Sequence, residues 1–183
     1  MSEYPKEYEK TVTLDDGTAV FFRPELSTDT EMLWEMFSTL SEKSLRFLVV
    51  PFTRERIERW TSNINYEKTL PILALVEQKN KMQIVATASL GFFEPSAFKH
   101  KAAFGITVHD DFQNKGIGTA LTEHMLEIAK KKRLRKVFLK VLTKNKRAIR
   151  VYRKCGFKIE AKLKRENVVN GKYCDDYVMS VFL

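Results

Sequence analysis

A glutamine and two glycines, spaced Gln113-x-x-Gly116-x-Gly118, separate an apolar run ending at Val108 from an amphipathic run starting near Ile117. The first run reads as a strand and the second as a helix, so the glycines occupy a strand-to-helix turn. The first amides of a helix have no intrahelical partner. Aligned peptide dipoles give that end a partial positive charge. Glycine lets the backbone come close to a ligand, because no Cβ intervenes. The chemistry this suits is the holding of a phosphate or pyrophosphate. An ordinary tight turn uses glycines too, so the spacing alone leaves both readings open. It is neither the Gly-x-x-x-x-Gly-Lys phosphate loop nor the three-glycine dinucleotide fingerprint.

Three more residues bear on chemistry. Asn145 stands where a helix begins and serves as an N-cap. Tyr152 lies on the inner side of that helix, where a core aromatic would also sit. Cys155 follows one turn later; nothing nearby lowers its pKa, and it reads as packing. Three histidines and two scattered cysteines, Cys155 and Cys174, give no metal spacing and no disulfide framework.

The elements that must position these residues are legible in order. Thr11–Leu14 and Thr18–Arg23 flank Asp15-Asp16-Gly17 as a β-hairpin. Thr28–Leu40 reads as a helix capped by Thr28 or Asp29, with Met32, Leu33, Met36, Phe37 and Leu40 at helical spacing. Ser41–Pro51 is a connector, and Thr53–Asn63 a helix with Ile57 and Trp60 inward. Leu70–Glu77, Met82–Phe93 and Lys101–Val108 read as strands, the first apolar throughout like a central strand. After the turn, Ile117, Leu121, Met125 and Ile128 share a helix face. Lys130–Arg133 closes that helix, where cations oppose the negative dipole end. Lys136–Leu142 is a strand, and Asn145–Cys155 a helix with Ala148, Val151, Tyr152 and Cys155 inward, ended by Gly156. Phe157–Leu163 and Tyr173–Phe182 close the chain as an antiparallel pair joined through Asn170-Gly171. Strands mixed with four helices predict an α+β architecture, and no linker or repeat divides residues 1–183.

On these motifs the chain resembles the GNAT superfamily of N-acetyltransferases. That family's pyrophosphate loop reads Arg/Gln-x-x-Gly-x-Gly/Ala between its fourth strand and third helix. Gln113 to Gly118 fits every fixed position, and Asn145, Tyr152 and Cys155-Gly156-Phe157 resemble the family's next conserved segment. The likeness covers most of the chain, more loosely at the N-terminus. It implies a mixed, mostly antiparallel central sheet with about four helices around it. The sheet is splayed between the fold's strands 4 and 5, here Lys101–Val108 and Lys136–Leu142. It also implies acetyl-CoA as co-substrate. Ile106, Thr107 and Val108 would make main-chain contacts to the pantetheine arm. Gln113, Asn114, Lys115, Gly116, Ile117, Gly118 and Thr119 would hold the pyrophosphate. Asn145 would contact the arm, and Tyr152 would act as general acid toward the departing thiolate.

The nearest likeness is to the GNAT domain of bacterial protein-lysine acetyltransferases, at Leu40–Phe47 and Asp110–Gln113. Those relatives carry a glutamate on the fourth strand where this chain has Ala103. Alanine cannot take a proton, so another group serves, with Glu94 and His100 nearest in sequence, or water does, or catalysis is lost.

Length fits one domain with a sizeable core, and no apolar run is long enough to span a bilayer. The N-terminal residues show no apolar signal core, which predicts a cytoplasmic protein. The net charge of +9 suits an anionic cofactor, an acidic protein or nucleic acid alike. Three functions follow: an acetyl-CoA-dependent N-acetyltransferase acting on a primary amine, a non-catalytic acyl-CoA-binding module, and a nucleic-acid-binding protein using Lys130–Lys136 and the basic face Lys146, Arg147 and Arg150. The last ranks lowest, because the basic run lacks interleaved aromatics. The acceptor amine stays open among protein lysine, protein N-terminus, polyamine and small amine. Monomer and homodimer are both expected assemblies.

Overall fold

The computed structural model of the chain describes residues 3–48 and 52–183. One eight-stranded sheet runs through it, in the order β1-β2-β3-β4-β5-β6-β8-β7. The strands are β1 Lys10–Thr13, β2 Ala19–Pro24, β3 Thr69–Gln78, β4 Lys81–Phe92, β5 Lys101–Val108, β6 Lys136–Leu142, β7 Lys158–Val169 and β8 Lys172–Phe182. Every pairing is antiparallel except β5 with β6. Five α-helices lie against it among the described residues: α1 Thr30–Ser38, α2 Glu42–Leu45, α3 Arg54–Thr61, α4 Ile117–Lys131 and α5 Lys146–Lys154. This is the α+β, mostly antiparallel arrangement expected.

Turn chemistry fixes the hairpins. Gly17 takes a left-handed φ of 84° between β1 and β2. Lys79-Asn80 and Asn170-Gly171 both have positive φ at each central residue, the type I′ geometry that suits two-residue hairpins. The long hydrophobic stripe of α4 is buried as predicted, with Ile117, Leu121, Met125 and Ile128 at 1% exposure or less. It packs on β3, β4 and β5. On the opposite face, α1 and α3 bury Leu33, Met36, Phe37 and Ile57 against Leu73, Leu75 and Ile84. The central strands are therefore covered on both sides, which explains the unbroken apolar run in β3.

Four expectations need adjusting. The connector from Ser41 contains α2, whose four residues are too few to show a period; its end, residues 49–51, lies outside the described residues. The inner face of α5 also takes in the buried Ile149; Tyr152 is buried as expected, and the half-buried Ala148 and Cys155 pack against the core, while Val151 is half-buried. β7 runs on to Val169, because its pairing with β8 resumes at Asn167 after an irregularity where Arg165 adopts φ 54°. Asp29 precedes α1, but its side chain makes no helix cap. Instead its carboxylate accepts from both terminal guanidinium nitrogens of Arg23, at 2.6 and 2.7 Å, and from Leu26 N–H at 2.7 Å.

The Arg23–Asp29 pair is nearly sealed, with Asp29 at 2% exposure. Removing one partner strands the other charge in the interior. Asp29→Ala should cost about 3–5 kcal/mol of stability. Urea unfolding checks this; a loss below about 1 kcal/mol would place the pair among weak surface bridges.

Candidate active site

The sheet comes apart in its middle. β5 and β6 pair only at Lys101–Lys136, Ala102–Val137 and Ala103–Phe138. Beyond that point β5 stays with β4 as far as Val108, and β6 stays with β8 as far as Leu142. The inner edges of both strands face a cavity of about 700 Å³. Backbone donors and acceptors along such an edge need partners, and an extended ligand can supply them as an added strand would.

At the wide end of the gap lies the glycine turn. Asn114 and Gly116 both take left-handed conformations, φ 63° and 91°. Glycine tolerates this freely, which explains Gly116 at the N-cap of α4. The first helical bonds run from Thr119 and Ala120 N–H to the Gly116 carbonyl, both at 3.0 Å. Amides ahead of them open the helix toward the cavity. A Cβ on Gly118 would meet Val108 Cγ2 at 3.5 Å, so α4 seats closely on the end of β5.

Side chains lock this turn. The Gln113 amide nitrogen donates to the Val108 carbonyl at 2.9 Å and to Ser44 Oγ at 3.2 Å. Its oxygen accepts from the Arg147 guanidinium. Asp110 accepts from Ser44 Oγ at 2.6 Å, Ser41 N–H at 2.8 Å and Ser41 Oγ at 2.9 Å. Burial works to raise the Asp110 pKa, but these hydrogen bonds outweigh it and hold the carboxyl below its ordinary value. The two segments that resemble protein-lysine acetyltransferases are thus one contact, α2 bound to the turn. Ser44 and Asp110 lie in the two stretches that carry that resemblance and Arg147 in a basic face, but nothing local in the sequence joins residues so far apart.

Ile106, Thr107, Val108, Gln113, Asn114, Gly116, Gly118, Thr119, Asn145 and Tyr152 all line the cavity. Two expected residues differ. Ile117 buries its side chain in the core at 1% exposure, leaving only its N–H for a ligand. Lys115 does not line the cavity; its ammonium sits 5.1 Å from the Phe112 ring centroid. Asn145 caps α5, its Oδ1 accepting from Ala148 N–H at 3.2 Å, which leaves the amide nitrogen to donate. Tyr152 packs edge-on to Phe104 at 6.2 Å and against Phe157 at 5.8 Å. Burial pushes its phenol well above the ordinary range, so the hydroxyl keeps its proton. Burial likewise pushes the Cys155 thiol up to about 11, which suits packing rather than a nucleophile.

No acid replaces the glutamate missing at Ala103 in the way the sequence suggested. Glu94 is exposed and paired with Lys68 at 3.1 Å, His100 is exposed, and neither lines a cavity described here. Asp176 on β8 does line the first cavity. It is 2% exposed; its Oδ2 accepts from Asn167 at 2.8 Å, its Oδ1 has no partner, and burial raises its pKa. A single acid on the inward side of a strand was the available signal for it.

A second cavity, of about 480 Å³, lies on the α1–α3 side of β5. Gly105, Ile106 and Thr107 line both cavities, so this strand is a wall the two share. A Cβ on Gly105 would point at Ser89 Oγ, 3.8 Å away and on the second cavity's wall. No side chain therefore stands between the cavities at this residue. No group of metal-ligating side chains occurs among the described residues.

Known proteins place this geometry. The chain is 39% identical over 82 residues to the L-amino acid N-acetyltransferase AaaT of Escherichia coli K12, 44% of this chain and 51% of that protein. It thus spans about half the length of that curated relative. The GNAT domain of S. lividans PAT superposes with a TM-score of 0.78 at 21% identity, over 99% of this chain and all of that one. A spermidine N-acetyltransferase from Vibrio cholerae, in complex with CoA and spermine, superposes with a TM-score of 0.75 at 21% identity, over 89% of this chain and 95% of that one. The model of the acetyltransferase (GNAT) family matches residues 31–157, more than half of the sequence, and the protein belongs to that family.

Proposed function

We propose that the protein is an acetyl-CoA-dependent N-acetyltransferase that acts on a primary amine by direct attack in a ternary complex. The observation that carries this reading is the cavity along the splayed edge of β5, lined by the opening of α4 and by Tyr152, with a second cavity sharing its wall at the side-chain-free Gly105. When bound, acetyl-CoA supplies an acetyl thioester open to attack by a neutral amine. The chain's residues would hold it in three places. The amides opening α4 at Gly116 to Gly118 face the pyrophosphate, with the Thr119 side chain beside them. The main chain of Ile106, Thr107 and Val108 pairs with the pantetheine arm, and Asn145 donates to it. The Tyr152 hydroxyl holds a proton for the departing sulfur.

The amine enters from the second cavity and meets the acetyl group beside Gly105. Its nitrogen forms the new C–N bond as the C–S bond breaks. The sulfur takes the Tyr152 proton, and the amine's surplus proton leaves through solvent or Asp176. Ala103 favours a second reading, an acyl-CoA-binding module without turnover. Both readings require the cofactor to bind, and only the first gives acetylated product. Incubation with acetyl-CoA and a panel of amines, read by mass spectrometry, separates them.

Gly118→Val would push two methyl groups from α4 into space shared by Val108 and the cavity. Acetyl-CoA affinity should fall by roughly tenfold or more, with the fold retained. Calorimetric titration checks it, and unchanged affinity would detach the glycine from the cofactor.

Tyr152→Phe keeps the ring between Phe104 and Phe157 and deletes the hydroxyl. The turnover number should fall by roughly 100-fold while acetyl-CoA affinity and melting temperature hold. Full turnover would return Tyr152 to the role of a core aromatic.

Ala103 lies on the same face of β5 as Gly105, two residues earlier, so Ala103→Glu would set a carboxylate facing the second cavity's side of the sheet. It should leave acetyl-CoA binding intact and raise kcat/KM toward amines, most at low pH where free amine is scarce. A folded variant with no gain would show that deprotonation does not limit the rate.

A further inference from the structure

The second cavity ends at an acid that the mechanism does not use. Glu25 follows β2 and is 2% exposed, yet it lines this cavity. Its Oε1 and the indole N–H of Trp60 on the same wall each lack a well-formed hydrogen bond, and the pull of Trp60 on the Glu25 carboxyl shows that the two groups lie close together. The cation nearest in sequence, Arg23, has both terminal guanidinium nitrogens engaged by Asp29. The Tyr66 hydroxyl donates to the Glu25 backbone carbonyl at 2.6 Å. Phe37, Phe52 and Trp60 form an aromatic wall, with the two phenylalanine rings stacked at 4.0 Å. A buried carboxylate with a vacant acceptor and aromatic faces beside it is a site for an alkylammonium.

We propose that Glu25, with Trp60 and Phe52 beside it, binds a second ammonium group of the acceptor, so that the preferred acceptors are linear diamines or polyamines. This rests on the acetyl-transfer reading above. The geometry sets the spacing. Glu25 N–H bonds the Pro71 carbonyl at 3.1 Å, Pro71 is paired with Ser89, and Ser89 with Gly105. Three strand spacings separate the Glu25 backbone from Gly105, roughly 14 Å. The side chain reaches part of the way back, so a long alkyl chain must join the two nitrogens.

The other charges near Glu25 agree with a cation here. Burial, aided by Asp29, pushes its carboxyl up to about 8, while Trp60 and Arg23 act in the opposite direction. A bound ammonium would favour the ionised form, which can then also accept from Trp60. Arg56 and Lys68 touch the same cavity, but both are exposed, and Lys68 pairs with Glu94 at 3.1 Å. The buried end therefore carries the acid and the open rim carries the bases. An acceptor with a distal carboxylate would meet the wrong sign.

The test uses the full chain, acetyl-CoA, and a length series of α,ω-diamines beside n-alkylamines and ω-amino acids of matching length. The wild type should favour a diamine over its matched alkylamine by roughly tenfold or more in kcat/KM, with an optimum at one chain length. Glu25→Gln keeps the shape and removes the charge; it should erase that preference while turnover of alkylamines persists. A flat length profile, a preference for ω-amino acids, or an unchanged diamine preference in Glu25→Gln overturns the proposal. Should the variant fail to fold, the wild-type length profile alone decides. Should no amine be acetylated, the transfer reading fails, and calorimetry of the diamines with the CoA-saturated protein decides for Glu25. Binding that is lost in Glu25→Gln supports the site, and absent or unaltered binding overturns it.

Discussion

Everything at the site depends on the pairing that β5 and β6 do not make. A parallel pair joined through a helix would normally run its full length, since each unpaired interior amide or carbonyl costs free energy. Here three residue pairs hold the strands together, at Lys101 to Ala103 with Lys136 to Phe138, and the ladder then stops. Each strand keeps its outer partner, so neither can swing back without breaking a longer ladder: β5 pairs with β4 over seven residues and β6 with β8 over seven. The gap is thus a built feature of the sheet, and its floor is set at Ala103.

The helices that follow the two strands keep the mouth of the gap in register. α4 leaves β5 through a turn whose glycine-rich backbone faces the cavity, and α5 leaves β6 through Asn145. Gln113 joins them. One end of its amide bonds the Val108 carbonyl and Ser44, and the other takes Arg147 of α5. A residue that the resemblance assigns to pyrophosphate binding spends its own side chain inside the protein. Its contribution to an anion comes through the backbone it holds in place, and preorganised amides need no rearrangement when charge arrives.

What the sequence discloses is what repeats or punctuates locally. The stripe of α4, the apolar run of β3, the two-residue hairpins and the Gln-x-x-Gly-x-Gly turn all follow from neighbours along the chain. The resemblance adds the splay and the place of Tyr152. Contacts across the fold leave no such trace. Ser44 with Asp110 and Gln113 with Arg147 lie 66 and 34 residues apart. The β7 strand hid for a different reason. Its bulge near Arg165 breaks the alternation of period two, and that same bulge turns Glu166 and Asn167 to the cavity wall. Ile149 joins the buried face of α5 from between basic residues, where apolar spacing has few points to fix it. Glu25 stayed unseen because a lone acid after a strand-ending proline looks like ordinary surface.

Two acids close together in sequence show how the fold separates structure from chemistry. Asp29 is buried with its carboxylate filled by Arg23 and Leu26, a closed arrangement that fixes the chain entering α1. Glu25 is equally buried with a vacant oxygen. Its folded pKa, about 8, stands above the 4.5 of a free glutamate. Between those values the native state binds the proton more tightly than the unfolded chain, so stability falls as pH rises across that window. A neutral or apolar residue would avoid this cost. Keeping an ionisable group there, at the end of a cavity that meets the splayed strands at Gly105, fits a site whose missing partner arrives from outside.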